Sequence, residues 1–164
     1  MIFTGHAELT IDAKQRMAIP AKHRARHNAE RDGAAWYCVP WGRRKLMLYT
    51  EKRFEEMAER GEFTLTPDDE TSDRASNFFG MCERLEPDSA GRIIIPAGHK
   101  KIAGIGESVV VVGCGKYLEV WDHDAWVNGL EERFDSLKKE INQSGTKSKQ
   151  PGTQDANPEH TKGQ

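Results

Sequence analysis

Hydrophobic positions along the chain come in short runs separated by charged turns, and the run lengths predict small alternating elements. His6 to Ile11 alternates as a half-buried strand does, Asp12 to Gln15 is a turn, and Arg16 to Ile19 is a short strand. Pro20 suits the first position of a helix, where its missing N–H costs nothing, and that helix is expected to reach about Ala29. Ala35 to Val39 and Leu46 to Tyr49 predict two strands around the loop from Pro40 to Lys45. Thr50 can N-cap a helix ending near Gly61, and Thr66-Pro67 can start a linking helix that runs through Phe78-Phe79 and stops at Gly80. Val109 to Val112 is apolar at every position, as a strand covered on both faces would be. Gly113 to Lys116 is its turn, and Asp122 can cap the next helix. Trp126, Leu130, Phe134, Leu137 and Ile141 recur at helical spacing and predict one amphipathic last helix. From Ser144 to Gln164 there is no aromatic residue and no Val, Ile, Leu or Met, so a disordered tail is expected.

The pattern repeats itself. Leu9-Thr10-Ile11-Asp12-Ala13-Lys14-Gln15-Arg16-Met17-Ala18-Ile19-Pro20-Ala21-Lys22-His23-Arg24 returns 76 positions later as Leu85-Glu86-Pro87-Asp88-Ser89-Ala90-Gly91-Arg92-Ile93-Ile94-Ile95-Pro96-Ala97-Gly98-His99-Lys100. Seven positions are identical: Leu, Asp, Arg, Ile, Pro, Ala and His. Downstream, Leu46-Met47-Leu48-Tyr49 answers Leu118-Glu119-Val120-Trp121, and Phe54 answers Trp126. Two copies of one unit are therefore expected. Each core of about 45 residues lies near the size below which a chain seldom folds alone, so the copies should share one core as an interleaved pseudo-dimer.

Composition narrows the classes of function. The apolar fraction is 37% and no run is long enough for a transmembrane helix. The first residues carry no basic stretch followed by an apolar one, so no secretory signal is expected. Cys38, Cys82 and Cys114 show no CxxC spacing, which fits a reducing cytoplasm better than a disulfide framework or a zinc site. His23 and His27 could share a helix face, but no further ligands accompany them. Gly104-Ile105-Gly106 and Gly113-Cys114-Gly115 are too short for phosphate loops. With no nucleophile, metal or cofactor constellation, neither an enzyme nor a cofactor is expected. Net charge is only −2, yet residues 1–60 carry 12 Lys and Arg against 8 Asp and Glu, and five of those cations lie between Asp12 and Arg26. A basic end on a mildly acidic chain is compatible with one phosphate-facing surface, though charge alone favours an ordinary solvated helix face.

The twin Asp-x-x-x-Arg motifs, each running into Ile-Pro and a helix, resemble the MraZ family of bacterial transcriptional regulators. Phe78-Phe79-Gly80, Val109 to Gly113 and Leu118 to Trp121 follow in the order that resemblance expects. It covers about residues 1–140. It implies an α+β fold: two tandem AbrB-like (SpoVT-AbrB) swapped-hairpin units forming a pseudo-dimeric β-barrel with peripheral helices. The expected boundaries are 6–53 for the first unit, 54–81 for the linking helices, 82–125 for the second unit, 126–142 for a C-terminal helix and 143–164 for the tail. It further implies sequence-specific binding to double-stranded DNA, on short G-rich direct repeats in the promoter of the division and cell-wall gene cluster. Repression, assembly of the chain with itself into a ring, and a cytoplasmic, nucleoid-associated location follow from the same likeness. The family usually carries Gly before the motif arginine, as at Gly91; Gln15 stands there in the first unit. If that turn needs positive φ, Gln15 costs about 1 kcal/mol. Ala97-Gly98-His99-Lys100 is poor in helix formers, so a weak second helix is expected.

The motif has a physical use of its own. Asp12 can accept hydrogen bonds from the amides of its turn, which lets Arg16 project at a set angle, and the arginine fork matches guanine O6 and N7. Lys14 at the turn tip suits a phosphate, and Lys22, Arg24 and Arg26 could flank the backbone and set register. Asp88 and Arg92 repeat the pair with fewer basic neighbours. A local ion pair that merely holds the hairpin accounts for the same spacing. The rival function is an antitoxin-like protein-interaction module of the same fold, whose polar tail wraps a partner.

Overall fold

The computed structural model describes residues 2–42, 44–60 and 68–147. They form two units, divided after Asn128. Arg43, Gly61, Thr66-Pro67 and positions 148–164 lie outside the described residues, and with them the expected start of the linking helix and most of the expected tail.

The first unit is mixed α+β. Its strands are β1 (His6–Thr10), β2 (Arg16–Ala18), β3 (Trp36–Trp41), β4 (Lys45–Thr50), β5 (Glu83–Leu85), β6 (Arg92–Ile94), β7 (Ser108–Gly113) and β8 (Leu118–Asp122). Its helices are α1 (Ala21–Arg24), α2 (Ala29–Asp32), α3 (Glu51–Glu59), α4 (Asp69–Phe79), α5 (Ala97–Ala103) and α6 (His123–Asn128). Six strands make one antiparallel sheet in the order β1-β7-β8-β4-β3-β5, and β2 pairs with β6 in a separate two-stranded ribbon. The two halves of the repeat thus interleave at three of the five junctions of the sheet, the other two being the β3–β4 and β7–β8 hairpins. β1 pairs with β7, β4 with β8, and β3 with β5, each time a strand of one half against a strand of the other.

This exchange explains how such short units acquire a core. Val109, Val110 and Val111 of β7 are fully buried, as their unbroken apolar run requires. Around them close Leu46 and Leu48 of β4, Leu118 and Val120 of β8, and Met17 and Ile93 from the ribbon. Phe3 enters from before β1, where it meets the Trp36 ring at 5.8 Å and the edge of His23 at 5.7 Å. A second cluster on the other face of the sheet joins Val39, Met47 and Phe54, with Tyr37 stacked on Phe54 at 4.0 Å.

Three helices depart from expectation. The helix after Pro20 ends at Arg24 instead of about Ala29, because Asn28 starts a new one: its Oδ1 accepts from Arg31 N at 3.0 Å, and its own N–H donates to Asp32 at 2.8 Å. α5, expected to be weak, is longer than its counterpart. Buried His99 and Ala103 anchor it, and Gly104 ends it at φ 67°. The last stripe is not one helix either: Gly129 divides α6 from α7 (Leu130–Lys147). α7, the described part of the second unit, runs five residues past the expected end at 142. Its apolar face carries Leu130, Phe134, Leu137 and Ile141, all exposed, and the Lys138 ammonium lies 4.8 Å from the Phe134 ring centroid.

Candidate nucleic-acid interface

The β2–β6 ribbon carries both Asp-x-x-x-Arg motifs. Its register sets Arg16 opposite Ile94, Met17 opposite Ile93, and Ala18 opposite Arg92. Residues directly opposite in an antiparallel pair point to the same side, and neighbours along a strand to opposite sides. Met17 and Ile93 face inward, with no exposed surface. Arg16, Ala18, Arg92 and Ile94 therefore share the outer face. Ile94, 61% exposed, is an apolar side chain that the motif gave no reason to notice. The two arginines sit on one diagonal, with Cα atoms about 8 Å apart from strand spacing alone.

Each arginine is held in the same way. Asp12 Oδ1 accepts from the backbone N–H groups of Lys14 and Arg16 at 2.8 and 2.9 Å. Its Oδ2 accepts from Arg16 Nε at 2.8 Å and Nη2 at 2.7 Å. Asp88 repeats this arrangement: Ala90 N at 2.9 Å, Arg92 N at 3.0 Å, and Arg92 Nε and Nη2 both at 2.8 Å. The hydrogen bonds from its own arginine are the main cause that holds the Asp12 carboxyl down at about 2, and Asp88 is lowered for the same reason. Both clamps are thus ionised throughout the physiological range.

The clamp uses the Nε–Nη2 edge of each guanidinium. The end edge, Nη1 with the outer proton of Nη2, meets no partner among the described residues. A planar fork can serve one acceptor pair on its side and another at its end. The ion-pair reading and the base-contact reading are therefore compatible: the first aims the group that the second would use.

The turn geometry answers the question raised by Gln15. Gln15 adopts φ 61° and Gly91 φ 73°, so both turns are left-handed there. Matching hydrogen bonds close them: Gln15 N to Asp12 O and Gly91 N to Asp88 O, each 2.8 Å.

The remaining candidates are placed differently. Lys14 is exposed at the first turn, with no side-chain hydrogen bond or ion pair among the described residues. Lys22 donates through Nζ to His6 O. Arg24 Nη1 donates to Ala90 O at 2.8 Å, reaching from the first half across to the second turn. A Cβ on Gly91 would stand 2.3 Å from Arg24 Nη1, so any side chain there would push the Arg24 guanidinium from its place, besides the cost of positive φ. Spacing gave no signal of this cross-brace, because it joins residues 66 apart. Among the described residues no group of three or more His, Cys, Asp or Glu side chains could hold a metal, and no helix is long and apolar enough to cross a membrane.

These features define an α+β chain built of two interleaved halves, each presenting an aspartate-clamped arginine on a common ribbon. The family described as "MraZ protein, putative antitoxin-like" matches residues 2–75 and 78–144. A protein of Coxiella burnetii named transcriptional regulator MraZ is 33% identical over 132 residues, covering 80% of this chain and 86% of its own. One of Neisseria gonorrhoeae with the same name is 32% identical over 148 residues, covering 87% and 97%. Another from Methylobacillus flagellatus is 30% identical over 131 residues, covering 80% and 88%. The chain belongs to the MraZ family.

Proposed function

We propose that this chain is a sequence-specific DNA-binding transcriptional regulator that lays the β2–β6 ribbon against the duplex and reads guanines through Arg16 and Arg92. The observation that carries this reading is the pair of clamped guanidiniums on one outer face, each with its end fork open. A two-stranded ribbon fits the major groove, and each bidentate arginine–guanine contact discriminates by about 1–3 kcal/mol. Lys14 at the tip of the first turn supplies a phosphate contact. Lys22 and Arg24 support the site from behind, bracing β1 and the second turn, and they meet phosphate only by leaving those bonds. The interleaved pairing of the halves supports the tandem swapped-hairpin arrangement with pseudo-dimeric closure.

One ribbon with two base contacts is too weak to select a promoter. Several ribbons in one closed ring, meeting several short G-rich direct repeats, gain by effective concentration. The expected target is the control region of the division and cell-wall gene cluster, the expected effect repression, and the expected location the cytoplasm, on the nucleoid. Transcriptional regulation is also what the names of the similar proteins state.

The test is fluorescence anisotropy of labelled duplexes from the chain's own upstream region, at several salt concentrations, beside light scattering for particle mass. Arg16→Ala and Arg92→Ala should each weaken binding and relax discrimination against a duplex with the guanines replaced. Lys14→Ala should weaken both duplexes alike and reduce the salt slope by about one. Equal affinity of wild type and the double arginine variant for the native duplex would sink the assignment.

A further inference from the structure

We propose that α7 pairs with α7 of a second copy of this chain, antiparallel, as a short two-stranded coiled coil. Through Ser144 the apolar residues of α7 are Leu130, Phe134, Leu137 and Ile141, at intervals of four, three and four. That is heptad spacing: Leu130 and Leu137 hold one seam position, Phe134 and Ile141 the other. Every other residue from Glu131 to Ser144 is polar or charged. A helix that covers a globular core carries a wider stripe, whereas a seam this narrow suits a single facing helix. The four seam side chains are between 43% and 62% exposed, so the rest of the chain leaves them uncovered. Eighteen residues span about 27 Å, room for each of the four to meet a counterpart.

The charges beside the seam choose the partner and its direction. Glu131 and Lys138 follow Leu130 and Leu137 on one flank; Arg133 and Glu140 precede Phe134 and Ile141 on the other. In a parallel pair opposite flanks meet, which sets Arg133 against Lys138 of the second copy, like charge on like. In an antiparallel pair each flank meets its own counterpart. The register that places Phe134 opposite Leu137, and Leu130 opposite Ile141, fills those layers with apolar side chains only. It brings Glu131 beside Lys138 of the second copy and Arg133 beside Glu140, and the two-fold axis repeats both attractive contacts. Lys138 already lies along the seam. Its ammonium is 4.8 Å from the Phe134 ring centroid and 2.6 Å from Asp135 on the same helix, so turning to Glu131 of the second copy exchanges one exposed carboxylate for another. A contact of this kind uses the same patch on both copies and closes in pairs, whereas a ring built on one kind of contact needs a head-to-tail interface. The helix pair is therefore a second assembly surface, independent of the ribbon and of ring closure.

The test uses the full chain without DNA. Leu137→Glu puts a charge into the seam of both copies and should lower the particle mass from light scattering to about half of wild type or less at equal concentration. Near-ultraviolet circular dichroism should match wild type, because all four tryptophans belong to the first unit and Leu137 is half exposed. Glu131→Lys sets lysine against Lys138 at both symmetric places and should weaken self-association roughly fivefold in a sedimentation dilution series; adding Lys138→Glu should restore it. For direction, Glu131→Cys and Lys138→Cys chains are co-expressed under different tags and treated with a short linker that bridges two thiols. Cross-links joining the two kinds of chain should exceed those within either kind, and the wild-type cysteines set the background. An unchanged mass in Leu137→Glu overturns the proposal. So does a fall in mass that the charge swap fails to reproduce, the result if this face seats on another surface of the second copy or on a different protein. Cross-links formed equally by single variants and mixture overturn the antiparallel register.

Discussion

Replacing Gln15 by glycine should make the protein more stable, and the structure supplies the magnitude. Gln15 sits at φ 61° in a turn whose counterpart carries Gly91 at φ 73°. A side chain in the left-handed region costs about 1–2 kcal/mol. Gln15 Oε1 is moreover buried without a partner, a state that costs about 1–3 kcal/mol for a polar group. The greater freedom of glycine in the unfolded chain takes back about 0.5–1 kcal/mol. The net gain is about 1–4 kcal/mol. For a body between the small and mid-sized domains each kcal/mol is worth roughly 4 °C, so Tm should rise by at least about 4 °C. Thermal melts of Gln15→Gly by circular dichroism, beside duplex affinity, are the assay; the Asp12–Arg16 clamp does not involve the Gln15 side chain, so affinity should hold. The reciprocal change is not symmetric. Gly91→Gln brings the same strain and drives its Cβ to 2.7 Å from Arg24 Cδ, so Arg24 must release Ala90 O. Destabilisation beyond about 2 kcal/mol is expected. A Gln15→Gly variant that melts at or below the wild-type temperature would refute the strain argument.

Three other outcomes follow from buried groups. His23 and His99 are repeat-related, buried and each short of one ring partner, and burial lowers both pKa values; Lys22 adds to this at His23, while Glu83 opposes it at His99. The fold holds them neutral while the unfolded chain takes up protons near 6.5. Their contribution is therefore complete above that pH and is lost as pH falls below it, so the urea midpoint should drop between pH 7 and 5; a flat midpoint contradicts this. Phe3→Ala removes a fully buried ring from between His23 and Trp36 and should cost about 3–5 kcal/mol, read as a large fall in the urea midpoint with unchanged slope. Burial pushes the Cys38 thiol up to about 12, and Cys82 and Cys114 up to about 11, so a thiol reagent at pH 8 should label native protein slowly and all three cysteines quickly in denaturant. Rapid labelling of three thiols without denaturant would contradict that burial.

Much of the local structure was legible along the chain because its causes are local. An unbroken run of valines has few other uses than a strand covered on both sides, and β7 is that strand. An aspartate four residues before an arginine can reach its own turn amides, and both copies do. The repeat itself carried the expectation that two halves too small to fold alone would share a core. Errors arose where one signal met a competitor, local at Asn28 and at Gly129 and tertiary at α5. The helix after Pro20 looks continuous until Asn28 meets Asp32, and α5 looks weak until burial of His99 and Ala103 is included. Gly129 interrupts a stripe whose periodicity is otherwise uniform.

What no pattern could supply is which half pairs with which. The amino-acid order alone determined two arginine hairpins, their braces and a residue at odds with its turn, since each depends on neighbours within about five positions. Only the tertiary structure decided that β2 lies against β6, so that Arg16 and Arg92 share one face. It likewise decided that Arg24 crosses to the other half's turn. Those relations join residues tens of positions apart, and the collective burial of Met17, Ile93 and the sheet beneath them sets them.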